Sequence, residues 1–303
     1  SAGAGIDNTA AHLESAAGAV RLTAIGALTN VSGSLVAEQN INLQVASLDN
    51  THGQISGQNV GITTSGALDN AGSALILAKN DLTLATGRLD NQSDLRATRH
   101  LDVSATDTIS NSGTIYAQGN TSLTTAKDIS NSGEIAARGN TTLTANGSNS
   151  LISSTSSSIL AAGLESDGKL SHSGNLTMTA TQSLAALGRN LAGGDQSLSA
   201  KTLDLTGSDT SAQNLTLTAS SGNLDASAAT LVASGTLAAS ATQTLTTNHA
   251  SLSAAQLNLT AHDLSNVQGD LVQTGNGDTT LQLAGDLDNS TGRIASNSQN
   301  LTL

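Results

Sequence analysis

Aliphatic residues recur along the chain at a spacing close to 20 residues, and each opens a phrase of the type "LDNTHGQI". The phrase is an aliphatic residue, four or five mostly polar residues with a small residue late, and then another aliphatic residue. It starts at Ile6, Leu28, Leu48, Leu68, Leu89, Ile109, Ile129, Ile152, Leu184, Leu205, Leu224, Leu245, Leu264 and Leu287. A fixed repeat of this length indicates one structural unit that stacks on its neighbours.

A second pattern lies between the phrases, with two aliphatic residues separated by one small polar residue, as in "NLTLTA" from Asn214. Alternation of period two is typical of a strand with one buried face. Stretches rich in Asn, Gly and Ser separate these segments and favour turns. Ala-rich patches such as "SAATLVASGTLAASA" have helix-like composition, but they carry the same phrase, so we expect strands there too.

Short strands at this spacing fit a stack of coils better than two alternatives. A leucine-rich repeat requires L-x-x-L-x-L-x-x-N in each unit and a helical return limb, and a left-handed hexapeptide helix requires strict sixes. Neither pattern is visible. The sequence therefore predicts an all-β fold, a parallel β-helix solenoid with about 20 residues per coil and roughly 14–15 coils. Coils stacked about 4.8 Å apart would give a rod about 65–70 Å long.

An asparagine stands two places after the first aliphatic residue of many phrases. Stacked asparagines can donate from one side-chain amide to the carbonyl of the next coil. Asn also tolerates the left-handed backbone of a tight corner, and so does a following glycine such as Gly33 or Gly53. We predict a structural corner ladder of Asn30, Asn50, Asn70, Asn91, Asn111, Asn131, Asn266 and Asn289.

The repeat divides the chain into three parts of one rod. Residues 1-150 carry the most regular repeats, and residues 184-303 continue them with a less regular asparagine position. Between them, residues 151-183 contain the single step of 32 residues, from Ile152 to Leu184, which indicates an irregular coil or a loop insertion.

Amino-acid composition narrows the classes of function that the chain could have. The chain has no Phe, Trp, Pro or Cys, one Tyr and one Met, so its interior is aliphatic and thin. With 11 Lys and Arg against 23 Asp and Glu, the net charge of -12 argues against nucleic acid and anionic membranes as partners. No apolar run is long enough for membrane insertion. The start "SAGAGIDN" has no initiator Met or signal peptide and indicates an internal piece of a longer protein.

The stretches "ALDNAGSALILAKNDLTLATGRLDNQ" and "LSNVQGDLVQTGNGDTTLQLAGDLDNSTGRIASNSQNLTL" resemble the haemagglutinin repeats of two-partner-secretion exoproteins. That family includes the filamentous haemagglutinins and the contact-dependent growth inhibition effectors. The middle, "SSTSSSILAAGLESDGKL", is also similar to it, so the resemblance covers essentially the whole chain.

The resemblance implies a right-handed parallel β-helix that leaves the cell through an outer-membrane two-partner-secretion transporter. It further implies a secreted or cell-surface stalk segment of a large adhesin or growth-inhibition effector on a Gram-negative bacterium, which presents distal binding or toxin modules to other cells. No catalytic motif of the family falls within this sequence.

Site chemistry is sparse in the sequence. Sugar-cleaving sites need paired carboxylates, often beside aromatic platforms, and here the acids are dispersed. His262 with Asp263, and His172 with Asp167 and Lys169, are the suggestive groupings. We predict no enzyme activity, catalytic residue, cofactor or metal site, with a polysaccharide-active enzyme as the alternative.

A candidate interaction surface lies in the irregular region from Leu160 to Ser183. Its charged and titratable members are Glu165, Asp167, Lys169 and His172. The alternative function is that this segment itself binds a receptor on a neighbouring bacterial or host cell; the simpler interpretation is a tolerated loop.

Overall fold

The chain folds as a stack of 14 coils with three strand positions each, seen in a computed structural model that describes residues 3–298 and 300–302. Every strand pairs in parallel with its equivalents in the adjacent coils, about 20 residues away in the chain. The described residues contain no α-helix, and hence no helix long and apolar enough to cross a membrane. The predicted all-β parallel solenoid is confirmed.

We number the coils 1 to 14 and call the three strand positions face 1, face 2 and face 3. Face 1 contains Ile6–Asp7, Leu28–Thr29, Leu48–Asp49, Ala67–Asn70, Arg88–Asn91, Ile109–Asn111, Ile129–Asn131, Leu151–Ser154, Ser183–Ala186, Thr202–Asp204, Leu224–Asp225, Thr244–Thr246, Asp263–Ser265 and Leu287–Asp288. Face 2 contains His12–Ser15, Ser34–Ala37, Gln54–Gly57, Leu75–Ala78, Asp94–Ala97, Thr114–Ala117, Glu134–Ala137, Ile159–Ala162, Arg189–Ala192, Asp209–Ala212, Asp270–Gln273 and Arg293–Ser296. Face 3 contains Val20–Thr23, Ile41–Val45, Val60–Thr64, Leu82–Thr86, Leu101–Ala105, Thr121–Thr125, Thr141–Ala145, Leu176–Ala180, Gln196–Ala200, Leu215–Ala219, Thr279–Leu283 and Leu301–Thr302. In coils 11 and 12 one long strand serves both faces 2 and 3, and these strands are Thr230–Ala241 and Ser251–Ala261.

The phrase starts predicted from the sequence stack on one another along face 1, with one error. Leu184 pairs with Leu203, and Leu203 pairs with Leu224, so coil 10 begins at Leu203 and not at Leu205. Both leucines face inward because the strand alternates. Leu205 occupies the position that asparagine holds elsewhere, and without that marker the phrase appears displaced by two residues.

The core is a continuous column of inward-facing aliphatic side chains from all three faces. In coil 4, for example, Leu68, Ile76, Leu82 and Leu84 are all fully buried. Three short strands around a central axis leave a space only a few side chains wide. Leu, Ile, Val and Ala fill it without aromatic residues, as the composition predicted.

The corner between faces 1 and 2 is tight, and its left-handed residue differs from the prediction. Ser32 and His52, each two places after the asparagine, have φ of 52° and 56°, whereas the asparagines and Gly33 and Gly53 do not appear among the positive-φ residues. Gly33 is needed for close approach instead. A Cβ atom there would lie 2.1 Å from the backbone oxygen of Asn8 in the preceding coil.

The 32-residue step contains one ordinary coil with an enlarged corner. In coil 7, three residues, 138–140, connect face 2 to face 3, whereas in coil 8 this connection is the hairpin insertion, residues 163–175. Gly163 and Gly174 close its stem, because a Cβ on Gly174 would lie 2.4 Å from the backbone nitrogen of Gly163. Coil 8 therefore keeps its register with coils 7 and 9, and there is no additional coil.

Candidate interaction surface

A row of buried asparagine side chains runs through the corner between faces 1 and 2. Each Nδ2 donates to the Oδ1 of the next coil, and the row begins one coil before the predicted set, at Asn8. The donor–acceptor distances are 2.7 Å for Asn8–Asn30, 2.7 Å for Asn30–Asn50, 2.8 Å for Asn50–Asn70, 2.8 Å for Asn70–Asn91, 2.7 Å for Asn91–Asn111 and 2.8 Å for Asn111–Asn131. We call these residues the asparagine ladder.

The asparagine ladder is interrupted over five coils and then resumes. The equivalent corner positions in coils 8 to 12 are Ser154, Ala186, Leu205, Ala226 and Thr247. Thr247 donates to the Oδ1 of Asn266 at 2.8 Å, and Asn266 donates to Asn289 at 2.7 Å. Two of the eight predicted members therefore lie in a short second row, separated from the first six.

A second row of polar side chains, not predicted, lies on the outside at the corner between faces 2 and 3. The residue before the face 3 strand accepts a hydrogen bond from the backbone nitrogen of its equivalent in the next coil. Asn140 accepts from Asn175 at 2.9 Å, and Asn175 accepts from Asp195 at 2.8 Å. The recurring "GN" before face 3 strands, as in "RGN" and "SGN", is the sequence signal for this row.

The hairpin insertion is a small antiparallel turn that projects from this corner. Leu164 and Leu170 form an antiparallel bridge, and the Glu165 backbone nitrogen donates to the Lys169 oxygen at 2.8 Å. Gly168 provides the left-handed residue of the turn, with φ of 81°. Asp167 and Lys169 form an exposed ion pair at its tip, with 3.3 Å between Oδ2 and Nζ.

The insertion packs on the outer side of face 2 through an apolar group that we call the outer cluster. Tyr116, Ala136, Ala161 and Leu191 come from coils 6, 7, 8 and 9, and Leu164 covers them from the insertion. The Tyr116 hydroxyl donates to the Leu164 carbonyl oxygen at 3.1 Å, and the ring is 5% exposed. Burial raises the pKa of the Tyr116 phenol, and the negative charge of Glu165 raises it further.

Charged groups hold the base of the insertion. Glu165 Oε1 contacts the Nε2 of His172 and accepts from Arg138 Nε at 3.1 Å. The hydrogen bond from His172 holds the pKa of the Glu165 carboxyl below its usual range, with a further contribution from the Arg138 charge. Glu165 and His172 therefore lie together beside Arg138 of coil 7, while Asp167 and Lys169 pair separately at the tip.

A shallow groove lies between the insertion and the following coils. It has a volume of about 530 Å³ and is lined by Leu170 and His172 on one side and by Ala192, Ser211 and Val232 on the other. Leu170 and Val232 are 40% and 42% exposed, so the groove carries two apolar side chains that face solvent.

Metal-ligating side chains do not form a cluster in the described part of the chain. No three His, Asp or Glu side chains come together there in a way that could hold a metal ion. His262 Nδ1 lies 3.0 Å from Asp263 Oδ1, and both side chains are exposed. A backbone hydrogen bond from Asp286, with a further one from His262, lowers the pKa of Asp263.

Fourteen coils in parallel register, within the described residues, define a repeat protein of the parallel β-solenoid class. The chain belongs to the haemagglutinin repeat family, which matches residues 1–31, 15–93, 66–113, 85–157, 159–228 and 218–291. The resemblance seen in the sequence is thereby confirmed.

One relative is the toxin CdiA of Yersinia pestis. The alignment is 163 residues long at 33% identity, and it covers 50% of this chain and 5% of that protein. The match thus spans about one twentieth of that relative's length. No solved structure matches the chain.

Proposed function

We propose that the chain is a non-catalytic stalk segment of a large secreted exoprotein, one that holds distal binding or toxin modules away from the cell surface. The observation that carries the proposal is the unbroken parallel register of face 1 through 14 coils. The strands of each coil pair only with those of the adjacent coils, so each added coil lengthens the rod by about 4.8 Å.

Membership of the haemagglutinin repeat family and similarity to CdiA support export by a two-partner-secretion transporter in the outer membrane of a Gram-negative bacterium. The parent protein is then an adhesin or a contact-dependent growth inhibition effector. A chain without cysteine suits this route, because no disulfide can form before the chain has crossed the membrane.

A stalk depends on length and not on the particular sequence of a coil, and two variants of the parent exoprotein separate these properties. In the first, residues 48–67 are replaced by a second copy of residues 28–47, which preserves both length and register. In the second, residues 28–88 are deleted, which removes three whole coils and shortens the rod by about 14 Å.

We expect both variants to be exported and folded, with the length-preserving variant fully active toward target cells. Electron microscopy of the purified segment measures the shortening. Loss of activity in the length-preserving variant, with normal export and circular dichroism, would show that coil 3 has a sequence-specific role and would contradict the stalk proposal.

A second candidate function is recognition of a receptor on a neighbouring cell by the hairpin insertion. The exposed pair Asp167 and Lys169 and the apolar side chain of Leu170 beside the groove favour it. Deletion of residues 164–173 is the suitable test, because it joins Gly163 to Gly174 and leaves a three-residue corner like that of coil 7.

Binding of the labelled segment to Gram-negative cells and to epithelial cells, measured by flow cytometry, separates the two functions. Saturable binding that the deletion abolishes would assign recognition to the insertion. Binding that survives the deletion, or no binding of the intact segment, would remove the insertion as a receptor site.

A further inference from the structure

Buried polar atoms without partners are concentrated in two adjacent coils. Within the described residues, the buried side-chain atoms that lack a hydrogen bond are Ser154 Oγ, Asn190 Oδ1 and both polar atoms of Gln196. They belong to coils 8 and 9, at the point where the asparagine ladder stops. A buried polar group without a partner keeps its desolvation cost and contributes no bond in return.

Coil 9, residues 183–200, also has a less apolar interior than its neighbours. Its large inward-facing aliphatic residues are Leu184 and Leu198, and the other buried positions include Asn190 and Gln196. Coil 8 has four large apolar side chains in the equivalent column: Ile152, Leu160, Leu176 and Met178. Because burial of large apolar side chains is the main stabilising contribution to each coil, coil 9 is the least stabilised of coils 2 to 13.

The hairpin insertion adds apolar packing on the outer surface of these same coils. Leu164 packs on the outer cluster across coils 6 to 9, and Leu191 of coil 9 is its last member. Arg138 of coil 7 contacts Glu165, so the insertion is tied to the last coil of the asparagine ladder. One segment thus bridges the outer surfaces of four consecutive coils where the internal ladder is missing.

We propose that coil 9 is the joint at which the inner part of this rod, coils 2 to 13, opens first, and that the hairpin insertion is the clasp that keeps the joint closed. Opening separates the coils that carry the asparagine ladder from those that follow coil 9. The inference rests on the interior and outer packing of the described coils and does not depend on the proposed function.

Hydrogen exchange measured by mass spectrometry on the intact chain tests both parts. In the wild type we expect amides of residues 183–200 to exchange at least about tenfold faster than those of coils 4 to 6, since sub-global opening begins in the least stable unit. Equal protection of coil 9 and coils 4 to 6 would overturn the joint.

Leu164→Ala tests the clasp, with Leu77→Ala as its control, because Leu77 is an outward-facing leucine of face 2 that lies on coil 4, away from the insertion. We expect Leu164→Ala to raise exchange in residues 183–200 by about a further tenfold, and Leu77→Ala to leave that region unchanged. Unchanged exchange in Leu164→Ala, or an equal effect of both variants, would overturn the clasp.

A gain of protection provides a test that cannot be confused with misfolding. Ser154 is the register partner of Asn131, and its hydroxyl has no partner. Ser154→Asn gives the Asn131 amide a new acceptor and extends the asparagine ladder by one coil. We expect exchange in residues 151–154 to slow by several-fold; slower exchange elsewhere but not there would argue against the ladder as the source of the difference.

Discussion

Coils 2 to 7 and coils 8 to 11 share one backbone register but differ in what fills the corner between faces 1 and 2. The first group has a buried asparagine in every coil, each bonded to the next. The second group has Ser154, Ala186, Leu205 and Ala226, which make no such chain. Parallel backbone pairing continues through both, so the ladder is not required to form the coils.

The difference shows that two kinds of side chain can fill the corner, either bonded asparagines or small and apolar residues. A coil of one kind beside a coil of the other is less stable than two coils of the same kind. An asparagine between two asparagines has both a donor and an acceptor in reach. An apolar residue between two small apolar residues needs neither and adds buried area. The cost arises where asparagine gives way to small or apolar residues, and the unpaired hydroxyl of Ser154 lies at this boundary.

The largest change in the free energy of unfolding should come from placing an asparagine at the corner position of coil 10. Leu205→Asn removes a buried leucine and places an amide between Ala186 and Ala226, which offer no side-chain partner. We expect unfolding to be easier by about 4 kcal/mol, from lost apolar burial and an unpaired polar group. Urea unfolding followed by circular dichroism measures it.

The neighbouring exposed residue provides the control for this change. Thr206→Asn should shift stability by less than about 0.5 kcal/mol. Equal stability of Leu205→Asn and the wild type would mean that the corner does not distinguish polar from apolar side chains.

Breaking the ladder within the regular coils should have the next largest effect. Asn91→Ala leaves the Asn111 Oδ1 without its donor, while the Asn70 amide keeps the Asp94 backbone oxygen at 3.2 Å. We expect a loss of about 2–3 kcal/mol in urea unfolding. Exposed Gln92→Ala is the control, and a similar loss in both variants would contradict a specific contribution of the ladder.

The stability of the contact between coil 7 and the hairpin insertion should depend weakly on pH. The pKa of Glu165 is lower in the folded chain than its ordinary value of 4.5, so this contact stabilises the fold above that pH. It is lost as pH falls through the folded-state pKa, where protonation removes the anion between Arg138 and His172.

Tyr116 reports this loss, because it is the single tyrosine and the chain has no tryptophan. We expect acrylamide quenching of its fluorescence to increase below about pH 4.5 in the wild type. In Glu165→Gln the quenching should no longer change over that range. The same acid-dependent increase in both proteins would show that another group controls the contact.

Much of the fold follows from the sequence because aliphatic spacing and strand alternation are local signals that the stack repeats. The single displaced phrase, at Leu205, shows the limit: where leucine replaces asparagine, two inward positions look alike. The prediction of the left-handed residue is also wrong, because the composition of the corner shows which residues are present but not which one adopts a positive φ. In coil 2 that residue is Ser32, and not Asn30 or Gly33.

The candidate surface was harder to predict, because its contacts join distant parts of the chain. Glu165 and His172 are close in sequence, but their partner Arg138 comes from the preceding coil. Tyr116 is 48 residues from Leu164 and carries no local sign that it would be covered. Only the register of face 2, which stacks Tyr116 above Ala136 and Ala161, brings the outer cluster together.

The equivalence of Ile109 and Ile129 in the stack has a consequence for inheritance. One coil here corresponds to 20 codons, so unequal recombination between two copies of the repeat adds or removes a complete coil and returns every later strand to its face. A gene for such a protein can therefore change in length by whole steps during replication, without an intermediate that fails to fold.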